Sequence, residues 1–301
     1  MNCAIIGSTK IAEVHAEQLI KNGVNEITFI SRSLKKRKRI ISNIRSKVLK
    51  KVVLVHSDIN ILRKKFFNII CICSNTKIHD THLKIASKLK SIIVIEKPII
   101  SLLKFKNNYD DILKNYYKKN KKIVVCYPFL FLAESFKKFL PNNSKIKKFS
   151  FDFQTGGKAN YKNICVNLMP HALAFLYFFL KNDIFEKKVV FRNLLIKKHQ
   201  WRVTLIFDEF VIKINLKENP LKKTVLKIKF NNLKLVRKTK IQKNNFINYI
   251  VNQKTKKENV IHNPMEIFYK KLFKNMKNKD FYYKNKTFTF EVMKMNNRLL
   301  N

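Results

Sequence analysis

The stretch Ser91–Ile100, SIIVIEKPII, is an apolar run that ends in Glu96-Lys97-Pro98. Two charges and a proline are a costly way to finish a buried strand, and in open α/β sheets ligands bind at the carboxyl ends of strands. Lys97 therefore stands where chemistry could happen; the alternative reading is a strand that simply exits into solvent, with Pro98 as its stop. A second chemical stretch, Gly7-Ser8-Thr9-Lys10-Ile11-Ala12, joins the short apolar run Cys3–Ile6 to an amphipathic segment reaching about Asn22. Strand, glycine turn and helix open a dinucleotide-binding domain, whose fingerprint is G-x-G-x-x-G/A. Gly7 and Ala12 fit it. Thr9 replaces the second glycine, where the backbone approaches the pyrophosphate. The helix N-terminus still offers free N–H groups, and Ser8 and Thr9 add hydroxyls. Beyond the next predicted strand, Glu26–Ile30, stands Ser31-Arg32-Ser33. An acidic residue there would bond the ribose hydroxyls of NAD, whereas serine and arginine suit a 2′-phosphate, so NADP is expected over NAD.

These residues need a frame. Runs at Lys51–Val55, Phe67–Cys73 and Ile123–Cys126 add further strands to those already named. Helical segments lie between them: Leu34–Val48, the stretch through Leu89 that Ser74 or Asn75 can cap, and roughly Leu103–Lys119. Six strands alternating with helices predict a doubly wound parallel sheet over 1–126. Over 127–301 the rhythm changes. Phe149–Gln154, Val189–Ile196, Trp201–Phe207, Phe210–Leu216, Thr224–Phe230 and Leu233–Val236 alternate polar with apolar residues, as strands of a sheet with one wet face do. A long apolar helix is predicted at Asn163–Leu180, closing helices at Pro264–Met276 and Phe288–Leu299, and loops at 253–259 and 277–286. The expected fold class is α/β: a Rossmann sheet followed by a second α/β domain on a large, mostly antiparallel sheet.

The chain has 301 residues, 46% of them hydrophobic, enough for two cores. No run of eighteen or more apolar residues occurs, so no membrane span is expected, and the opening residues do not resemble a secretory signal. The five cysteines, Cys3, Cys71, Cys73, Cys126 and Cys165, sit in apolar segments without CxxC spacing. They read as reduced thiols of a cytoplasmic protein. His79 and His82 are three apart, but no second cluster joins them, so no metal is expected. The net charge of +45 invites a nucleic-acid reading. However, Lys, Asn, Ile, Phe and Tyr are the enriched residues, those of A/T-rich codons, and the lysines are spread along the whole chain. A base-composition bias accounts for that better than a nucleic-acid footprint, although the surplus still attracts anionic ligands.

The stretches IIGSTKIAEVHAEQL, ICSNTKIHDTHLKIASKL, IIVIEKPI, NLMPHALAFLYFFL and HNPMEIFYKKLFKNMKNKD, in this order, resemble the glucose–fructose oxidoreductase/inositol dehydrogenase (Gfo/Idh/MocA) family. The resemblance implies NAD(P)-dependent hydride transfer to or from a sugar or nucleotide-sugar-like carbonyl or alcohol, and a homo-oligomer through the C-terminal sheet. It gives Lys97 contact with the nicotinamide ribose and the reacting oxygen, with Glu96 beside it. It matches His79 to the family's T-P-x-x-x-H stretch, where Asn75 replaces the proline and Ser74 precedes it. It sets His171 as a second proton donor or acceptor, with Asn167 where the family carries an acid and Ala172 where an acidic residue is common. Without the resemblance, His171 on its apolar helix reads as a core histidine. Tyr127, Lys158 and Tyr161 are substrate contacts by position only. Thr9, Asn167 and Ala172 keep one alternative open, a family fold that binds cofactor or sugar without turnover; the basic charge keeps a second, a nucleic-acid-binding protein.

Overall fold

Short β-branched runs flanked by polar residues build the first sheet. Its strands are β1 (Asn2–Ile6), β2 (Glu26–Ile30), β3 (Val52–His56), β4 (Ile69–Ile72), β5 (Ile92–Glu96) and β6 (Ile123–Cys126). All are parallel, in the order β3-β2-β1-β4-β5-β6. Burial on both faces explains their continuous apolar character: every residue of β4 and of β6 is buried. The computed structural model describes residues 1–31, 33, 39–40, 42–43, 52–56, 58–140, 145–159, 161–181, 183–186, 188–242 and 245–300. Arg32 and most of the helix expected over Leu34–Val48 lie outside the described residues. The expected helix Leu103–Lys119 is two helices, Leu102–Phe105 and Tyr109–Lys119.

The chain forms two compact units, and the first is discontinuous: Met1–Tyr127 with Met265–Met293. The second comprises Pro128–Pro264 with Lys294–Asn301. The sequence reading had kept everything from 127 onward together. Two late side chains explain why Met265–Met293 folds with the first sheet. Tyr269, in the helix Pro264–Lys274, is fully buried with its hydroxyl 2.5 Å from His15 Nδ1. Asn285 takes both main-chain groups of Val125, accepting its N–H at 2.8 Å and donating to its carbonyl at 3.1 Å. The stretch 277–286, expected as a loop, is mostly the first half of the helix Lys279–Arg298. Its lysines and asparagines mask the apolar spacing that buries Tyr282.

In the second unit eight strands form one sheet: β7 (Lys148–Thr155), β8 (Val190–Lys197), β9 (Gln200–Ile206), β10 (Val211–Glu218), β11 (Val225–Phe230), β12 (Leu233–Gln242), β13 (Asn245–Asn252) and β14 (Glu258–Ile261). The order is β14-β13-β12-β11-β7-β10-β9-β8, antiparallel throughout except for β7 beside β10. β13 and β14 were not expected, because asparagines and lysines dilute their alternation. One face carries Phe149, Phe151, Phe153, Trp201, Ile212, Ile214, Ile228 and Phe230, all buried. The helix Lys162–Leu180 packs on this sheet through contacts with β9 and β10. That helix is long and apolar enough to cross a bilayer by composition, yet 61% of its apolar window is buried inside the protein, as a core helix requires. The other face presents Lys213, Lys227 and Lys229 to solvent. A helix at Pro128–Lys137, missed in the sequence, starts on the proline itself, a favoured first helical position.

Candidate active site and cofactor cradle

The glycine turn lies at the carboxyl end of β1. Gly7 has φ +126° and donates its N–H to the Ile30 carbonyl at 3.0 Å. A Cβ there would stand 2.7 Å from the Cys73 carbonyl oxygen, so only glycine lets the turn lie against the end of β4. Thr9, at the head of the helix Lys10–Lys21, is extended (φ −93°, ψ 168°) and turns its hydroxyl toward the Cys73 carbonyl at 3.4 Å. Nothing in that conformation requires glycine, so the departure from the fingerprint leaves the turn unstrained. Ser31 Oγ donates to Ser8 Oγ at 3.0 Å, tying the end of β2 to the turn.

Around this turn opens a cavity of about 640 Å³ lined by Gly7, Ser8 and Thr9, by Ser31 and Ser33, and by Ser74 and Asn75. Its apolar walls are Ile59, Ile78 and Ile85, a slot suited to a planar base. Three polar lining residues, Asp58, Thr81 and His82, were not among the expected cofactor contacts. His82 sits 2.9 Å from Ser74 Oγ. Asn75 does cap the 3-10 turn that follows, accepting the Lys77 N–H at 3.0 Å. Of the other expected cofactor residues, Ala12 is fully buried, while Lys10 is exposed and Ile11 half-buried at the head of the helix.

A second cluster surrounds Glu96-Lys97-Pro98 at the end of β5. His79, buried in the helix His79–Ala86, places Nδ1 2.9 Å from the Pro98 carbonyl and Nε2 3.0 Å from the Ser74 carbonyl. It thus fastens the cis Lys97–Pro98 turn to the end of β4. Burial holds its pKa below the usual histidine value, against the pull of the two carbonyls. On the other side His15, fully buried in the helix Lys10–Lys21, places Nε2 2.8 Å from Glu96 Oε1. Burial works to raise the Glu96 carboxyl, and the hydrogen bond and charge of His15, followed by Lys97, outweigh it and hold it low. Burial works to lower His15, and the surrounding Cys73 and Tyr269 with the Cys71 and Cys73 hydrogen bonds outweigh it and hold it well above its usual value. Both shifts run toward a charged pair, an imidazolium facing a carboxylate. Cys126 joins them, with ligand atoms of His15, Glu96 and Cys126 within 4.8 Å of one another. Both imidazole nitrogens are already committed, and burial pushes the Cys126 thiol well up, so the group reads as a hydrogen-bond network and not as a cation site.

The signs give a testable stability profile. Stabilisation from His15 is complete below pH 6.5 and is lost as pH rises through its raised value; that from Glu96 is complete above pH 4.5 and is lost as pH falls through its lowered value. Both contribute fully between about pH 4.5 and 6.5. His15→Gln is expected to cost about 3 kcal/mol at pH 6 and to flatten the alkaline decline, as denaturant midpoints from pH 5 to 9 would record.

In the second unit Asn167 and His171 share a face of the helix Lys162–Leu180, four residues apart and both half-buried. The His171 ring lies against Phe129 (centroids 4.2 Å apart) and Phe153 (5.5 Å). Ala172 is fully buried. Buried Glu218 steadies the loop before this helix: its Oε2 accepts the Ala159 N–H at 2.7 Å, in the space a Cβ on Gly157 would fill. Lys158 and Tyr161 of that loop are exposed. Tyr127 instead is buried, with its ring edge-on to Phe288 in the first unit.

A parallel sheet in this order, with a glycine turn and a cavity at its carboxyl edge, defines a dinucleotide-binding Rossmann domain. Residues 1–127 match the model of the oxidoreductase family, NAD-binding Rossmann fold, known as Gfo/Idh/MocA. No curated protein sequence matches. Among solved structures, a dehydrogenase (MviM) from Clostridium difficile is similar over 98% of this chain and 99% of its own, at 12% identity and a TM-score of 0.65. A 3-ketoreductase from Actinomadura kijaniata, in complex with TDP-benzene and NADP, covers 98% and 96% at 10% identity and a TM-score of 0.68. UDP-N-acetylglucosamine 3-dehydrogenase from Acidithiobacillus ferrooxidans covers 98% and 95% at 9% identity and a TM-score of 0.64. At these identities the likeness is one of fold.

Proposed function

We propose that the protein transfers a hydride between NADPH and a sugar or nucleotide-sugar-like carbonyl, with Lys97 and His171 exchanging the proton. The observation that carries this reading is the cavity at the glycine turn. Its floor is the turn that Gly7 lets lie against the Cys73 and Ser74 backbone, a surface that suits a pyrophosphate, and its isoleucine walls suit the adenine. When bound, the cofactor supplies the hydride. Ser8 and Ser31 offer hydroxyls to its phosphates and ribose. The support for NADP is that Ser31 and Ser33 line the cavity where an acidic residue would select NAD. Lys97, half-buried beside a carboxylate already paired with His15, is suited to giving its proton to the carbonyl oxygen. His171 is the second proton donor, and Asn167 orients a substrate hydroxyl; their shared helix face supports both roles.

The nucleotide-sugar part rests on analogy with the nucleotide-bound ketoreductase and on the charge of +45, which favours an anionic substrate. Self-association through the eight-stranded sheet belongs to the same reading, supported by the exposed face opposite the helix. The experiment is a titration with NADPH and NADH at physiological salt. NADPH is expected to bind about tenfold tighter or more, with Arg32→Ala removing most of the difference. Tighter NADH binding would reverse the cofactor assignment, and no binding of either would overturn the oxidoreductase reading itself.

A further inference from the structure

A lysine beside a free carboxylate is a poor acid, because the neighbouring negative charge holds its proton. Glu96 precedes Lys97 directly, and the two charges do act on each other. The geometry around Glu96 offers a way out. Its carboxylate is turned inward, only 13% exposed, and meets the buried His15 Nε2 at 2.8 Å. The opposite nitrogen of that ring meets the Tyr269 hydroxyl at 2.5 Å, and the two rings pack edge to face at 82°. Tyr269 also lies 3.4 Å from Cys71 Sγ. A histidine held at both nitrogens cannot rotate away from the carboxylate, and neither ring is exposed to water.

We infer that Tyr269 and His15 are positioning residues for Lys97: they hold an imidazolium on the Glu96 carboxylate, so that its charge is compensated from within the protein rather than by the Lys97 ammonium. The inference rests on Lys97 being the proton donor, and it assigns a role to a residue, Tyr269, that arrives from the far end of the chain. Glu96 on its own strand and His79 on the helix after β4 act on the Lys97 charge, and His15 and Tyr269 stand behind the Glu96 carboxylate. Cys73 and Cys126 flank His15 and Glu96, and burial pushes both up, Cys73 to about 11, so they remain thiols.

Trace acetylation of the folded protein across pH 6 to 11, read at the Lys97 peptide by mass spectrometry, gives the titration midpoint of that amine without any substrate. His15→Gln, which keeps a hydrogen-bond donor but removes the cation, is expected to raise the midpoint by about one pH unit. Adding Glu96→Gln in the same chain is expected to return it to the wild-type value. Tyr269→Phe is expected to shift it the same way by a smaller amount, and it preserves the packing should His15→Gln fail to fold. An unchanged midpoint in His15→Gln, or in Tyr269→Phe if only that variant folds, would reduce the cluster to core packing. NADPH titration of the same preparations separates the outcomes. Wild-type protein that binds no NADPH sinks the oxidoreductase reading, whereas variants that bind NADPH normally with an unmoved Lys97 midpoint sink only this inference.

Discussion

Gly7→Ala is expected to abolish dinucleotide binding, lowering NADPH affinity by on the order of 100-fold or more, and to cost roughly 3 kcal/mol of stability. Two effects add. The backbone at Gly7 has φ +126°, which side-chain-bearing residues rarely adopt. The new methyl would also lie 2.7 Å from the Cys73 carbonyl oxygen and 2.8 Å from its carbon. Those are backbone atoms at the end of a buried strand and cannot swing aside. The turn must back away from β4, and the N–H groups facing the cavity move with it. Gly23→Ala provides the control: φ is +86° there, but nothing lies within 4 Å of the added carbon. That variant is expected to lose only about 1–2 kcal/mol and to bind NADPH normally. Fluorescence titration and thermal unfolding of the two variants side by side make the measurement. Normal binding by Gly7→Ala would mean that the phosphates do not use this turn.

Lys97→Ala carries the other large expected effect, a fall in kcat of about 10²–10⁴-fold at pH 7. NADPH affinity should change far less, because Lys97 does not line the cavity at the glycine turn. The assay follows NADPH oxidation with a panel of nucleotide-linked keto sugars. His79→Ala should mimic part of the loss indirectly, since it releases the Pro98 carbonyl that fixes the turn. If Lys97→Ala turns over at the wild-type rate, the proton comes from elsewhere and the reading of Glu96-Lys97-Pro98 fails.

Much of the first unit was legible because its strands are continuous apolar runs, each closed by a turn residue. The alternation of β7 and of β9 to β11 marked the second sheet equally well. What escaped notice was hidden by composition. Asn245–Asn252 and the first half of Lys279–Arg298 carry so much lysine and asparagine that neither a twofold nor a 3.6-residue period stands out. The site divides the same way. Gly7, Ser31 and Lys97 could be read locally, from a turn and two strand ends. His15 and Tyr269 could not, since their partnership joins positions 254 residues apart. No local pattern announces a histidine whose two nitrogens are taken by a distant tyrosine and a strand-end glutamate.

The late arrival of Tyr269 and Asn285 bears on how the protein is made. A ribosome delivers β1 to β6 first, then Pro128–Pro264 with every strand of the second unit, and only afterwards Met265–Met293, which completes the first. Until then Val125 lacks the side chain that occupies its main-chain groups, and β6 is a bare strand edge open to pairing with another chain. The His15–Glu96 pair is likewise unbacked. The polypeptide therefore passes through synthesis with its first sheet formed in outline and its buried hydrogen-bond network incomplete. A chain cut short after the second sheet would retain every strand of the nucleotide-binding fold and still lack the parts that seal it.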